Sequence, residues 1–223
     1  MRRATLVIPA AGSGARFGSE LPKQFLDLGG ISVLARSLRA FAGLVAEAVI
    51  SGADLHRSHL ERSIRDSAVD FPVHLVAGGE TRMQSVAAGI SRAAGEVVLV
   101  HDAVRPLVPR SCVVACLEAL ERSDCVLVAV PCASTVKRVL AGVVQETVDR
   151  RELYLAQTPQ GFQRELGRHA YAQALAAGWP CSDDAQVLER SGHQPLVVAG
   201  DACNFKITTP DDLLLARALL GPG

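Results

Sequence analysis

Short apolar runs alternate with longer amphipathic stretches along most of the chain. The apolar runs are rich in Val, Leu and Ile without polar alternation, which is typical of strands buried on both faces. The stretches between them have the length and spacing of helices, so we predict an α/β fold with a mostly parallel, twisted sheet and helices on both faces. The predicted strands are residues 5–8, 48–51, 73–77, 96–100, 126–130 and 196–199. The predicted helices are residues 32–41, 55–67, a segment that ends near 94, 111–122, 164–177, 183–190 and a last helix from 209.

One segment departs from this alternation. Residues 135–140 and 143–148 are both rich in β-formers, and Ala141-Gly142 joins them, which indicates a hairpin. A hairpin inserted into a parallel sheet usually projects from it, and projecting arms often pack on a second subunit. We therefore predict one domain over residues 1–223 with a β-hairpin arm at about 133–152.

Composition narrows the class of partner. The chain has 23 basic and 23 acidic side chains, so its formal net charge is zero and it lacks the charge signature of a nucleic-acid binder. Its 4% aromatic content argues against a platform for stacking single-stranded bases. No uninterrupted apolar run approaches the ~18 residues that a membrane span needs. We expect neither nucleic acid nor a membrane as a partner.

The six cysteines include no C-x-x-C pair. This spacing favours buried free thiols in a reducing cytoplasm over a zinc site or a disulfide framework. We therefore expect a cytoplasmic protein.

The loop after the first predicted strand has the character of a phosphate cradle. Residues 9–18 read PAAGSGARFG, and such small residues let backbone N–H groups approach phosphate oxygens closely. The Walker pattern is absent, and Phe17 stands where the third glycine of G-x-G-x-x-G belongs. Arg16 and Lys23, the latter one of only three lysines, supply cations that suit a polyphosphate. The alternatives are a tight strand-to-helix turn and two solvated surface cations.

Two further strand ends carry candidate chemistry. Gly78-Gly79 follows the third strand and precedes a helix, which brings backbone amides to the same edge of the sheet. Asp102 lies just beyond the tip of the fourth predicted strand, where a carboxylate commonly holds Mg²⁺ beside a nucleotide. The alternative for Asp102 is a helix cap or an ion pair with Arg105. We interpret His101 as a hydrogen-bonded core residue. Together these features indicate a Mg²⁺-dependent enzyme that binds a nucleoside triphosphate.

Several runs, taken together, resemble one family. They are the loop at 9–18 with KQF at 23–25, GETRMQSV at 79–86, HDAVRP at 101–106, TVKR at 135–138, DR at 149–150, QTPQ at 157–160, SDDA at 182–185 and NFKIT at 204–208. In this order, through nearly the whole chain, they are similar to the 2-C-methyl-D-erythritol 4-phosphate cytidylyltransferases of the non-mevalonate isoprenoid pathway. The resemblance implies a Rossmann-like nucleotidyltransferase fold and transfer of a cytidylyl group from CTP to a sugar-alcohol phosphate, with Mg²⁺ or another divalent cation.

The resemblance also implies roles for individual residues. Arg16 and Lys23 would stabilise the transition state. The residues matching the CTP site are Ala10, Ala11, Gly12, Gly14, Gly79, Glu80, Ser85 and Asp102, of which Asp102 would also lie near the metal. The residues matching the acceptor side are Arg105, Thr135, Arg150, Thr158 and Lys206. In the family the arm swaps across a homodimer, so Thr135 and Arg150 would serve the partner's site.

Three alternatives remain open at this stage. A ribitol 5-phosphate cytidylyltransferase would share the CTP loop and differ on the acceptor side. A non-catalytic nucleotide-binding protein would not need Arg16, Lys23 and Asp102 together. An NAD-dependent oxidoreductase is disfavoured because the third glycine of its fingerprint is missing.

Overall fold

The computed structural model describes residues 3–12, 17 and 21–221. Its strands are β1 (Ala4–Pro9), β2 (Asp27–Leu28), β3 (Ile31–Ser32), β4 (Glu47–Gly52), β5 (Val73–Ala77), β6 (Val97–Val100), β7 (Cys125–Pro131), β8 (Val136–Leu140), β9 (Val143–Val148), β10 (Tyr154–Gln163) and β11 (Leu196–Ala199). Its α-helices are α1 (Val33–Arg39), α2 (Arg57–Ser67), α3 (Arg82–Arg92), α4 (Arg110–Ala119), α5 (Arg164–Ala176), α6 (Asp184–Arg190) and α7 (Pro210–Leu220). Short 3₁₀ helices span Lys23–Phe25 and Asp54–His56.

The described part of the chain contains one main sheet of seven strands, in the order β11-β7-β10-β6-β1-β4-β5. β1 pairs in parallel with β4 and β6, β4 with β5, and β7 with β11. The predicted mostly parallel sheet is confirmed, and each of its six predicted strands is present within one residue at either end.

The sequence pattern missed β10, which lies antiparallel between β6 and β7. Its middle reads QTPQ, and its pairing with β7 shifts register between Ala156 and Gln160. Gln157, Thr158 and Gln160 are nevertheless buried. Because a central strand is expected to be apolar, this polar run concealed β10.

Helices cover both faces of the sheet, as predicted. Alternate residues of a strand point to opposite faces, so Leu6 and Val7 enter different cores. The Leu6 core also receives side chains from α1, α2 and α4, including Leu34, Leu60 and Val113. The Val7 core receives side chains from α3, α5 and α6, including Val86, Tyr171 and Leu188.

The strand order creates a crevice beside β1. The chain runs from β1 through β4 to β5 at one edge, then returns through α3 to β6 on the other side of β1. The loops after β1 and β6 therefore leave the sheet in different directions at its carboxyl end. Ligands of open α/β sheets bind at such a switch point.

The predicted arm is a separate two-stranded antiparallel sheet of β8 and β9. Ala141 and Gly142 both have positive φ, at 50° and 80°, which suits a two-residue hairpin turn. The arm exposes a run of large apolar side chains, namely Val139, Leu140, Val143 and Val144.

The last helix begins where the sequence predicts. Thr209 caps α7 and Pro210 is its first residue, with Asp212 completing a reciprocal capping box. None of the described helices is both long and apolar enough to cross a membrane.

The cysteines only partly follow the expectation of buried thiols. Cys112, Cys116 and Cys125 are buried, and burial raises the pKa of Cys116 to about 12. Cys203 is exposed, which the sequence did not predict. It lies in the irregular segment after β11, where the backbone N–H of Cys203 donates to Asp201 (2.7 Å).

Candidate active site

A cleft of about 400 Å³ opens at the carboxyl ends of β1 and β6. The first residues of α3 form another of its walls. The predicted site residues that line this cleft are Ala10, Ala11, Gly12, Lys23, Gly79, Glu80, Ser85, Asp102 and Lys206. The structure thus brings together residues that are almost 200 positions apart in the sequence. Gly14 and Arg16 lie outside the described residues.

Gln24 ties the β1 loop to the 3₁₀ helix that carries Lys23. Its side-chain amide donates to the carbonyls of Ala10 (3.1 Å) and Gly12 (3.0 Å), and Gln24 itself is buried. Lys23 is therefore held at the cleft through its neighbour. The sequence places Gln24 in a family motif but gave no indication of this role.

The start of α3 is held by its own side chains. The Thr81 hydroxyl accepts from the Gln84 backbone (3.1 Å), and the Thr81 backbone donates to the Gln84 side chain (3.0 Å). Ser85 accepts from the Gly79 backbone (3.1 Å) and donates to the Thr81 carbonyl (3.0 Å). The Ser85 hydroxyl therefore fixes the loop that the resemblance assigns to the CTP site.

Gly78 and Gly79 permit close packing at this helix start. A Cβ at Gly78 would lie 2.5 Å from the Cβ of Ala11, and one at Gly79 would lie 2.2 Å from the Cβ of Gln84. The double glycine thus lets the helix start approach the β1 loop.

A buried carboxylate lies at the centre of a cationic cluster. The Asp102 carboxylate lies 3.1 Å from both the Lys206 ammonium and the Arg105 Nε, and 3.6 Å from the Arg82 Nη2. Burial alone would raise the pKa of Asp102, but Lys206, Arg82 and Arg105 outweigh it and hold that pKa well below its usual value. Asp102 is ionised at neutral pH, and the ion pair with Arg105, which was the alternative to a metal-binding role, is present.

His101 is a core residue, as the sequence predicts. Its Nε2 lies 3.0 Å from the Arg105 carbonyl, so Nε2 carries the proton and Nδ1 accepts from the Thr158 hydroxyl (2.9 Å). The Thr158 oxygen in turn accepts from the Asp102 backbone N–H (3.1 Å). Thr158 and His101 together fix the backbone of Asp102.

This arrangement predicts a pH dependence of stability. Burial lowers the pKa of His101 from 6.5 to about 4. Below 6.5 the unfolded state binds the proton more readily than the folded state, so stability falls as the pH drops towards 4. The linkage is worth about 3 kcal/mol of unfolding free energy. Denaturant unfolding at several pH values measures it, and His101→Gln should reduce the loss over this range. His169→Gln, at an exposed histidine, is the matched control and should retain the full loss. An unchanged loss in His101→Gln would refute the assignment.

A second cavity of about 260 Å³ adjoins the cleft. The two cavities share Arg82, Asp102 and Lys206 as lining residues. The predicted acceptor-side residues Arg105 and Thr158 line the second cavity. Two ligands bound in these cavities would therefore meet at the cationic cluster.

Buried amides position Lys206 at the cationic cluster, where the two cavities meet. Asn204 donates to the side chain of Gln157 (3.0 Å) and to the carbonyl of Thr158 (2.7 Å), and its own carbonyl accepts from Arg105 (2.7 Å). The Ile207 backbone bonds to the Val104 carbonyl (2.9 Å). The segment around Lys206 is thus fixed against both β10 and the loop after β6.

Thr135 and Arg150 are not brought to this cleft within one chain. Both are exposed at the base of the arm, and neither is among the described residues that line the two cavities. The Arg150 guanidinium donates to the Ala133 carbonyl.

Arg82 is the main site residue that sequence reasoning left without a role. It is the first residue of α3 and lines both cavities. Its signals in the sequence were its place shortly after a double glycine and its membership of the family run at 79–86, to which no role for Arg82 was attached.

Asp102 is the one predicted metal ligand. Among residues 3–12, 17 and 21–221, no group of three or more His, Cys, Asp or Glu side chains could hold a metal ion. A single carboxylate is nevertheless compatible with Mg²⁺ when phosphate oxygens and water supply the other ligands.

Comparison with known proteins identifies the family. The family model of 2-C-methyl-D-erythritol 4-phosphate cytidylyltransferase matches residues 4–222. The enzyme of this name from Deinococcus radiodurans is 41% identical over 98% of this chain and 90% of the relative, and that from Acidobacterium capsulatum is 38% identical over 98% and 97%. The crystal structure of the Thermus thermophilus enzyme matches with a TM-score of 0.81 at 35% identity, over 97% of this chain and 98% of that one. The chain therefore belongs to the 2-C-methyl-D-erythritol 4-phosphate cytidylyltransferases, nucleotidyltransferases of isoprenoid synthesis.

Proposed function

We propose that the joined cavities catalyse in-line transfer of the cytidylyl group. A phosphate oxygen of 2-C-methyl-D-erythritol 4-phosphate attacks the α-phosphorus of CTP. The bond from the α-phosphorus to the bridging oxygen breaks, and pyrophosphate leaves with the electron pair. The products are 4-diphosphocytidyl-2-C-methyl-D-erythritol and pyrophosphate. The observation that carries this mechanism is the wall of Arg82, Asp102 and Lys206 common to both cavities.

The chemistry requires positioning and charge, not a side-chain nucleophile. Two phosphates repel each other, and negative charge is redistributed as the new bond forms. Lys23 faces the nucleotide side, Arg105 faces the acceptor side, and Lys206 faces both. We assign CTP to the larger cavity, with Arg16 as the expected second cation of the β1 loop.

A divalent cation, with Mg²⁺ the first candidate, fits the nucleotide side at Asp102. This carboxylate is ionised and lines both cavities, and Mg²⁺ commonly combines one carboxylate with substrate phosphates. Such an ion would supply charge neutralisation on the triphosphate. Lys206 and Arg105 already contact the Asp102 carboxylate and would orient it towards the ion.

We extend the proposal to a homodimer joined through the arm. The exposed valines and leucine of the arm would gain cover from a second subunit, as projecting apolar surfaces usually do. Thr135 and Arg150 lie outside their own chain's cavities, which supports a role in the partner's site. Each active site would then combine one chain's cleft with the other chain's arm. In such a dimer each chain forms one catalytic domain over residues 1–223, with its arm at about 133–152.

The arm proposal predicts a selective defect in Arg150→Ala. The lost guanidinium should raise the KM for the alcohol phosphate about tenfold or more and change the KM for CTP little, because a charged hydrogen bond contributes ~1.5–3 kcal/mol. Steady-state kinetics with each substrate varied in turn measures this. Arg151→Ala removes a neighbouring exposed cation paired with Asp149 and is the matched control. A collapse of CTP use in Arg150→Ala would contradict the assignment.

Subunit mixing tests whether the arm acts in trans. Arg150→Ala and Lys23→Ala chains, each nearly inactive alone at a low concentration of the alcohol phosphate, are unfolded and refolded together. If the arm serves the partner, one site of each mixed dimer regains both wild-type residues and activity returns. If the arm serves its own chain, every site keeps one defect and activity stays low.

The assay that tests the function is pyrophosphate release with CTP and each alcohol phosphate in parallel. We expect turnover with 2-C-methyl-D-erythritol 4-phosphate and much less with ribitol 5-phosphate. The reverse preference would overturn the acceptor assignment, and release with neither would overturn the proposed reaction.

The exposed thiol of Cys203 supports a reducing cytoplasm as the place of action, which is part of the same proposal.

A further inference from the structure

Arg82 occupies an unusual place between a buried acid and the two cavities. Its side chain is about one-third exposed and lines both of them, and its Nη2 lies 3.6 Å from Asp102. On its other side it meets Asp184, the first residue of α6, whose side chain is fully buried. The guanidinium therefore separates a buried carboxylate from the junction of the cavities.

Asp184 and Tyr171 hold this guanidinium in one orientation. Nη1 and Nη2 donate to the two Asp184 oxygens at 2.8 Å and 2.7 Å, which is a bidentate pair. The Tyr171 hydroxyl, buried on α5, donates to the same carboxylate. Three helices thus contribute to fixing the direction of one side chain.

The bidentate pair leaves further donors on a guanidinium that lines both cavities. A guanidinium has five N–H groups, and the bonds to Asp184 use one from each terminal nitrogen. The same pair also offsets the cost of burying Asp184, because an unpaired buried carboxylate would be strongly destabilising. An ion pair that served only to stabilise the fold would not need to lie at the junction of the two cavities, where Arg82 lies.

We propose that Arg82 binds the phosphate of the acceptor alcohol at the junction of the two cavities, and that Asp184 and Tyr171 are positioning residues that orient it. This inference rests on the proposed function, because it takes the acceptor phosphate as the ligand of the second cavity. Arg82 would act beside Lys206 and Arg105, which face the same space. A fixed guanidinium binds phosphate with little loss of side-chain freedom, since its remaining N–H groups are already oriented.

Steady-state kinetics of three variants tests the inference. Arg82→Lys keeps the charge and loses the fork, and we expect the KM for 2-C-methyl-D-erythritol 4-phosphate to rise about tenfold or more while the KM for CTP stays within about twofold. Asp184→Asn should also raise the KM for 2-C-methyl-D-erythritol 4-phosphate. Tyr171→Phe, which keeps the ring in the core, should raise it only about threefold, because the hydroxyl acts on Arg82 indirectly, through the Asp184 carboxylate. Added to Arg82→Lys, Tyr171→Phe should have little further effect, because both act through one contact.

Controls separate binding from folding. Arg92→Lys makes the same change at the other end of α3 and should leave both KM values unchanged. Thermal unfolding of each variant is measured in parallel. If Tyr171→Phe and Arg82→Lys lower only the melting temperature and use the acceptor normally, the network is structural and the inference is wrong. If the wild type itself releases no pyrophosphate with this acceptor, the proposed function fails and the inference fails with it.

Discussion

Lys23→Ala is expected to lower kcat by about 10²-fold or more, which is typical for the loss of one group that stabilises transition-state charge. Lys23 lines the nucleotide cavity, and the bonds from Gln24 to the carbonyls of Ala10 and Gly12 fix its place at the loop. Since this anchor uses the Gln24 side chain, the variant should retain the loop and unfold close to the wild-type temperature. Pyrophosphate release under saturating CTP and acceptor measures the change.

Arg62→Ala is the matched charge control for this experiment. Arg62 is exposed on α2, where it pairs with Asp66 one helical turn away, and surface pairs of this kind contribute little. It should keep wild-type turnover. Wild-type turnover in Lys23→Ala as well would remove Lys23 from the mechanism.

Lys206→Ala should produce the second large loss, on the order of 10²-fold in kcat/KM for the acceptor. Its ammonium lies 3.1 Å from Asp102 and faces both cavities, so its removal weakens the hold on both reacting phosphates. Asp102 keeps Arg105 at 3.1 Å, so the carboxylate is not left unpaired and the fold should persist. The measurement is kcat/KM with the acceptor varied at saturating CTP.

Lys206→Arg sharpens this prediction. It restores the charge, but a planar guanidinium cannot reproduce the contact of a compact ammonium in the same space. We expect only partial recovery of activity. An unchanged kcat/KM for the acceptor in Lys206→Ala would show that Lys206 only balances the charge of Asp102.

Much of the fold could be predicted because a strand buried on both faces is apolar along its whole length, and such a run is visible in the sequence. The run at 97–100 is apolar throughout and forms the fully buried strand β6. β10 escaped prediction because Gln157, Thr158 and Gln160 are satisfied by partners distant in the sequence. Gln160, for example, donates to Asp183 (3.0 Å) and accepts from the Ala185 backbone (2.6 Å). A local pattern carries no information about such partners.

The residues of the site divide in the same way, into those that a local pattern indicates and those whose role depends on distant partners. Asp102 and Lys206 were identified separately by a strand-end position and by a resemblance, and the structure places them in direct contact. The neutral state of His101 follows from its complete burial, which its place at the end of an apolar strand suggested. Arg82 was missed because its meaning depends on Asp184, 102 positions later in the chain.

The antiparallel strand β10 has a consequence for how the protein is made. During synthesis β1, β4, β5 and β6 emerge first and can pair among themselves, and β7 follows. β6 and β7 cannot join until β10 has left the ribosome and inserted between them. Until then each presents an open edge, the type of surface on which nascent chains associate wrongly. The strand that brings Thr158 to Asp102 is thus also the one whose arrival unites the two halves of the sheet. The second cavity, which Ala156, Gln157, Thr158 and Gln160 of β10 line, cannot form before that step, whereas most of the wall of the first cavity has by then been synthesised.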